Sequence, residues 1–240
     1  MMEESMKISK RLGRISEYVP FGSVVADIGS DHALVPIQLV TSGKVNRVIA
    51  GEVNDGPFQT AIANVSRMGL QHRVDVRKGD GLEVVKEGEV SVVIIAGMGG
   101  GTIVHILAAG RNKLSGVERL ILQPQGDADR VRLWLGENGW MIYEEDLLME
   151  DELLYEIIVA EPGVQSLTKE EEEFGPILLR KSHPLLQVKL QQEIEKAERV
   201  LRSLERSNGE AAEKKRKELE RRKNWLQEVK ERVCNRKANY

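Results

Sequence analysis

Cysteine is nearly missing from this chain. A single residue, Cys234 among 240, excludes an intramolecular disulfide framework and cysteine-built zinc centres, and makes a reducing cytoplasm the expected compartment. Its place in the tail also excludes a cysteine nucleophile in the body of the protein. No His/Cys cluster has metal-ligand spacing, so no metal is expected. Aromatic residues make up only 4%, which leaves little for ring stacking. No apolar run approaches the roughly 18–20 residues that a membrane span requires, and no signal-peptide pattern opens the chain. What is present is 41% hydrophobic, enough at this length for one large domain and an appendage.

The net charge of −3 hides an asymmetry. From Leu185 to Tyr240 there are 16 Lys and Arg against 10 Asp and Glu, whereas the rest holds 19 against 28. An acidic body with a basic tail is a mild pointer to a polyanionic partner. In the tail, Leu190, Ile194, Ala197, Leu201 and Leu204 step by fours and threes. A turn is expected at Ser207-Asn208-Gly209, after which Leu219, Leu226, Val229 and Val233 resume the seam, with Arg222 where an apolar residue is expected. This predicts an antiparallel, coiled-coil-type helical hairpin. Composition shifts after Pro162, which divides the chain into residues 1–162 and a helical domain, 163–240. The hairpin binds the partner, pairs weakly with a second copy, or does both, leaving monomer and homodimer open.

Ahead of that boundary, strands alternate with helices. Ile8, Leu12, Ile15 and Val19 share a helical stripe, with Lys10, Arg11 and Arg14 on other faces. Val24, Val25, Ala26 and Ile28 form an apolar run without periodicity, as in a strand buried on both faces. Gly29 ends it, and Ala33–Val40 reads as a helix. Asn46–Glu52, Val74–Lys78, Glu89–Ile95 and Arg119–Leu122 read as further strands, with helices over Phe58–Met68 and Thr102–Ala109 and around Val131–Leu135. Trp140–Leu148 and Leu153–Val159 read as a hairpin. The pattern predicts an α/β fold, a mostly parallel Rossmann-like sheet with an antiparallel strand at one edge.

The polar and glycine-rich features all fall at strand carboxyl ends: Gly29–His32, Glu52, Asp80-Gly81, Ala96–Gly100 and Gln123–Gln125. In an open parallel sheet those ends share one crevice, where ligands bind. Asp27 and Asp31 flank the first turn; they would repel a phosphate and tolerate a cationic or hydroxyl-rich ligand. Four glycines in the six residues from Ala96 to Gly101 keep side chains away from something that approaches the backbone closely.

Ser9-Lys10-Arg11-Leu12, Ala26 through Ala33, Gly51-Glu52, Asp55-Gly56-Pro57-Phe58, Gly79-Asp80-Gly81-Leu82, Ile95 through Gly100 and Leu120 through Pro124 together resemble the bacterial TrmK family. These are class I methyltransferases that act on N1 of adenine 22 in the D-loop of tRNA. The resemblance covers about residues 7–160, with Leu34 and Gln125 departing from the family pattern. It implies S-adenosyl-L-methionine as cofactor, held by Asp27, Gly29, Ser30, His32, Glu52, Val53, Asp80, Gly81, Ala96, Gly97, Met98 and Gly99. Within that set, Glu52 would hold the ribose hydroxyls and Asp80 would face the adenine edge. It also implies tRNA contacts from Lys10, Arg11, Arg14, Gln123 and Pro124.

Methylation of adenine N1 leaves a cation on the ring. A carboxylate near the N6 amino group stabilises that charge and accepts its proton, a role we expect of Asp31. The plainer readings are that Asp31 caps the following helix and that His32 is a packed loop residue. A methyltransferase acting on a small molecule or a protein, and a catalytically idle adaptor, remain the alternatives to a tRNA enzyme.

Overall fold

The computed structural model describes residues 8–204 and 209–237; Ser207 and Asn208 of the expected tail turn lie outside them. The chain forms two compact units, one ending at Gly175 and the other beginning at Pro176.

In the first unit, α1 (Lys10–Glu17) starts where the Ser9 hydroxyl accepts from Leu12 N. It is followed by β1 (Val24–Ile28), α2 (Leu34–Thr41), β2 (Arg47–Glu52), α3 (Asp55–Arg67) and β3 (Val74–Lys78). Then come β4 (Val92–Met98), α4 (Gly100–Ala109), β5 (Arg119–Pro124), α5 (Ala128–Glu137), β6 (Trp140–Glu150), β7 (Leu153–Pro162) and α6 (Lys169–Phe174). The seven strands lie in the order β3-β2-β1-β4-β5-β7-β6, with β1 to β5 mutually parallel. This is the Rossmann-like methyltransferase architecture that the alternation of elements predicts.

One detail differs from the expected outline. The strand antiparallel to β5 is β7, which inserts between β5 and β6, so the first strand of the hairpin becomes the rim. Burial explains the order. Ile157–Ala160 of β7 are all buried, whereas the first half of β6 alternates buried Trp140 and Ile142 with exposed Met141 and Tyr143, as suits an edge covered on one face. β4 also begins later than the expected Glu89, because that carboxylate is taken by Arg77, at 2.6 Å, and by Lys86 N.

The core fills both faces of the sheet. Val25, Val48, Ala50, Val92 and Ile94 pack with Ile15, Leu39, Ala61 and Val65 from α1, α2 and α3. The alternate residues Ala26, Ile49, Val93, Ile95, Leu120 and Leu122 are equally buried on the opposite face, where α4 packs.

The first unit extends past Pro162 because α6 is tied back to α5. Thr168 and Glu171 form a reciprocal capping box that starts α6. Arg132 of α5, fully buried, donates from Nη1 to the carbonyls of Glu172 and Glu173. The same guanidinium pairs with buried Glu145, at 2.7 Å, and with Glu156.

The second unit holds α7 (Pro176–Arg180), α8 (Leu186–Leu204) and α9 (Glu210–Lys237). Helices α8 and α9 run antiparallel: Lys230 reaches Gln191, Lys223 lies 3.7 Å from Glu198, and Arg216 donates to the Leu204 carbonyl. Leu186, Leu190, Ile194 and Ala197 face Leu226, Val229 and Val233 along the buried seam. Arg222, which interrupts the apolar pattern, lies with its guanidinium 5.8 Å from the Trp225 ring centroid.

Arg132→Met is expected to destabilise the protein by about 3–5 kcal/mol, because it removes a buried cation that pairs with two buried carboxylates. Denaturant unfolding checks this, and a loss below about 1 kcal/mol would contradict it.

Candidate functional site

The registers of the parallel strands bring their carboxyl ends level. Ile28 pairs with Gly51 and with Ile95, Glu52 with Lys78, and Met98 with Pro124. Gly29, Glu52, Asp80, Met98 and Gln125 therefore leave the sheet along one edge. The order reverses between β1 and β4, the point where an open sheet of this kind forms a crevice.

On one side of that crevice is the turn after β1. Gly29 N and Ser30 N both donate to the Gly51 carbonyl at 2.9 Å, which ties the turn to β2. Gly29 has φ +71°, and a Cβ there would lie 2.1 Å from Met98 Cε. The thioether from β4 thus rests on the bare face of this glycine, and the two glycine-bearing turns meet.

The next residues bend sharply. His32 (φ 60°, ψ 4°) and Ala33 (φ 55°, ψ 32°) are consecutive non-glycine residues in the left-handed region, at about 1–2 kcal/mol each. The helix α2 consequently begins at Leu34 rather than Ala33, and a single 3-10 turn, Asp31–Ala33, intervenes. Asp31 makes no side-chain cap there; its carboxylate is 68% exposed, with Oδ1 3.1 Å from His32 Nε2. The plainer reading of Asp31 as a helix cap does not hold.

Behind this turn, polar groups are buried. Asp27 is 6% exposed, and burial pushes its carboxyl up to about 6, with the adjacent Ser30 hydroxyl pulling the other way. Ser30 Oγ is itself buried and has no partner of good hydrogen-bond geometry among the described residues. Glu52, also buried, accepts from Asn54 N and Nδ2 through Oε1 alone, at 2.8 and 3.1 Å. Val53, next to it, is half exposed. Asp80 and Gly81 stand at the mouth of a small cleft of about 110 Å³ shared with His105 and Ile106 of α4.

The opposite side of the crevice is the bulged end of β4. Gln123, fully buried, was expected to face the substrate; instead its Oε1 accepts from Gly97 N at 3.1 Å and from Arg11 Nη1 at 2.7 Å. Its Nε2 donates to the Pro124 carbonyl, and Pro124 too is buried. Both residues are thus enclosed by the protein, and the Gln123 side chain is spent on Gly97, Arg11 and the Pro124 carbonyl. Arg11 is further held 5.3 Å from the Tyr155 ring centroid, and Glu150 accepts from Lys10 N and Arg11 N. Arg14 is turned toward Asp146, at 3.0 Å, and Glu17. Lys10 is exposed.

Within the glycine run, one position has a cause internal to the protein. A Cβ on Gly100 would lie 2.2 Å from the Asp127 carbonyl, so the close approach there is made by the protein's own backbone. Gly99 meets nothing within 4 Å. Tyr155 and Glu150 were not picked out from sequence. They sit on the hairpin, more than 130 residues from the helix they hold, and nothing local signals the contact.

The sequence and the fold are both shared with known proteins. The family model described as tRNA (adenine(22)-N(1))-methyltransferase, TrmK, matches residues 25–230. A curated relative, the tRNA (adenine(22)-N(1))-methyltransferase of Bacillus subtilis, is 51% identical over 158 residues, 66% of each chain and so just under two thirds of its length. The crystal structure of the B. subtilis m1A22 tRNA methyltransferase TrmK superposes with a TM-score of 0.87 at 41% identity, covering 94% of this chain and 99% of that one. TrmK of M. capricolum in complex with S-adenosyl-homocysteine superposes with a TM-score of 0.82 at 27% identity, over 94% and 99%.

Two outcomes follow from the buried groups. A folded-state value of about 6 for Asp27, against 3.8 for the free group, means that the folded chain holds this proton more tightly; stability contributed by Asp27 therefore falls as pH rises from about 4 to about 6. Asp27→Asn lacks that proton, so its unfolding midpoint relative to the parent should be several degrees higher at pH 8 than at pH 4. An equal difference at both values would contradict it. Separately, Gly100→Ala should lower the midpoint far more than Gly99→Ala, which has open space for the methyl group.

Proposed function

Because this chain belongs to the TrmK family of tRNA (adenine(22)-N(1))-methyltransferases, we propose that it methylates N1 of adenine 22 in tRNA, using S-adenosyl-L-methionine. The observation that carries the reading is the meeting of the Gly29–Ala33 turn with Met98 across the β1–β4 crevice, with Asp31 exposed at its mouth.

The residues present suit this cofactor. The buried Ser30 hydroxyl sits beside the buried carboxyl of Asp27, with no partner of good geometry among the described residues, and Glu52 uses only one carboxylate oxygen internally. Such an acidic, hydroxyl-accepting lining favours a cationic ligand with a ribose and disfavours a pyrophosphate. Bound there, the cofactor supplies an electrophilic methyl group on a sulfonium. We assign Asp27, Gly29, Ser30 and His32 to the turn beneath it, Glu52 and Val53 to its ribose, and Asp80 and Gly81 to its base. The bulge Ala96-Gly97-Met98-Gly99 forms the opposing wall.

Displacement at a neutral ring nitrogen needs chiefly positioning. Asp31 holds the N6 amino group of the target adenine and accepts its proton as positive charge builds on the ring. Arg11, fixed by Gln123 and Tyr155, offers a preorganised cation to the tRNA backbone, with Lys10 beside it on α1 and Arg14 a turn further along. Exposed cations of α9, including Lys215, Lys217 and Arg221, give the helical unit a basic face of its own for tRNA. No helix among the described residues is long and apolar enough to cross a membrane, and the compartment we propose is the cytoplasm.

Nucleoside mass spectrometry of unmodified tRNA incubated with protein and cofactor should show 1-methyladenosine at position 22. Asp31→Ala should keep cofactor affinity within a few-fold by calorimetry while the methylation rate drops by about 10²–10⁴. Unchanged turnover in that variant would remove Asp31 from the mechanism.

A further inference from the structure

Asp31 stands on a turn whose backbone is strained, and something must hold that turn. We infer, resting on the reading that Asp31 faces the acceptor adenine, that Asn64 of α3 is a positioning residue for this carboxylate. Asn64 Nδ2 donates to the His32 carbonyl at 2.9 Å, across 32 residues of sequence. Its own carbonyl oxygen accepts from Arg67 Nη2 at 2.8 Å. The two partners fix which way the amide faces, oxygen toward the guanidinium and NH₂ toward the turn.

The bond lands where it matters. His32 and Ala33 hold φ values of 60° and 55°, and left alone such residues relax to negative φ, swinging the preceding residue. Within the turn, Asp31 N donates to the Gly29 carbonyl at 2.8 Å, and Ala33 N donates to the Ser30 carbonyl at a longer 3.3 Å. From α3, Asn64 grips the carbonyl at the centre of the strained pair. The ring of that same His32 lies 3.1 Å from Asp31 Oδ1, so the residue clamped through its main chain also braces the carboxylate through its side chain. Asn64 acts through His32 on Asp31. It is half-buried on the helix surface, so its replacement leaves the core intact.

Two variants of the full chain separate this role from a structural one. Asn64→Asp keeps the shape and the acceptor facing Arg67 but cannot donate to the carbonyl; Asn64→Ala loses both contacts. With unmodified tRNA and S-adenosyl-L-methionine, both should lower kcat about tenfold. The KM for tRNA, the cofactor Kd and the unfolding midpoint should stay close to those of the parent. Amide hydrogen exchange at residues 31–34 should speed up in both variants. The inference is overturned if kcat stays within twofold of the parent, or if Asn64→Asp behaves as the parent while Asn64→Ala does not. It is equally overturned if the loss appears in KM or Kd instead of kcat, or if exchange at the turn is unchanged. The exchange measurement needs no methylation, so a parent protein that fails to methylate tRNA would sink the functional reading separately.

Discussion

Parallel pairing of β1 between β2 and β4 is the constraint on which this molecule depends. Ile28 is level with Gly51 on one side and Ile95 on the other, so the chain leaves three central strands at one height. β1 is buried on both faces, and its main-chain groups are spent on its neighbours, so the strand cannot shift without exposing apolar residues or breaking a ladder. Every turn that matters for chemistry inherits its place from that alignment. The reversal of strand order beside β1 then opens the crevice between two turns, one with a bare glycine and one with a thioether laid on it.

Around this crevice the protein gives up local comfort. A carboxyl is buried where its ionisation is opposed, the hydroxyl beside it is buried with no partner of good geometry among the described residues, and two consecutive residues are left-handed. Such departures persist only where surrounding structure overrules them, and they gather at sites that bind or react. Arg132 shows the opposite treatment of buried charge. Two glutamates and two carbonyls surround its guanidinium, and that cluster ties α5, α6 and the hairpin together. Buried polarity alone does not mark a site; polarity left unsatisfied at the edge of a crevice does.

The helical unit follows simpler physics. Its apolar seam drives two helices together, and the cations that give the tail its charge are left largely at the surface. The family match runs from residue 25 to residue 230 and so takes in most of this hairpin as well as the sheet. Fold and family thus agree on a methyltransferase whose chain carries both a crevice-bearing sheet and a basic helical unit.

The sequence by itself determined the number and kind of elements, because each signal is local. An apolar run without periodicity marked β1, short strand-like runs between helical stripes marked β2 to β5, and the fours and threes of the tail marked its hairpin. It also determined which turns share an edge, since parallel strands separated by helices must present their carboxyl ends together. Tertiary structure alone decided what those turns do to one another. The insertion of β7 inside β6, the burial of Gln123 with its grip on Gly97 and Arg11, the Tyr155 face under Arg11 and the Asn64 bond to His32 all join residues far apart in the chain. Such contacts leave no periodicity, composition or spacing to read. They exist only once packing has brought distant side chains within hydrogen-bond reach, which is why the edge of the site was legible in advance and its internal bracing was not.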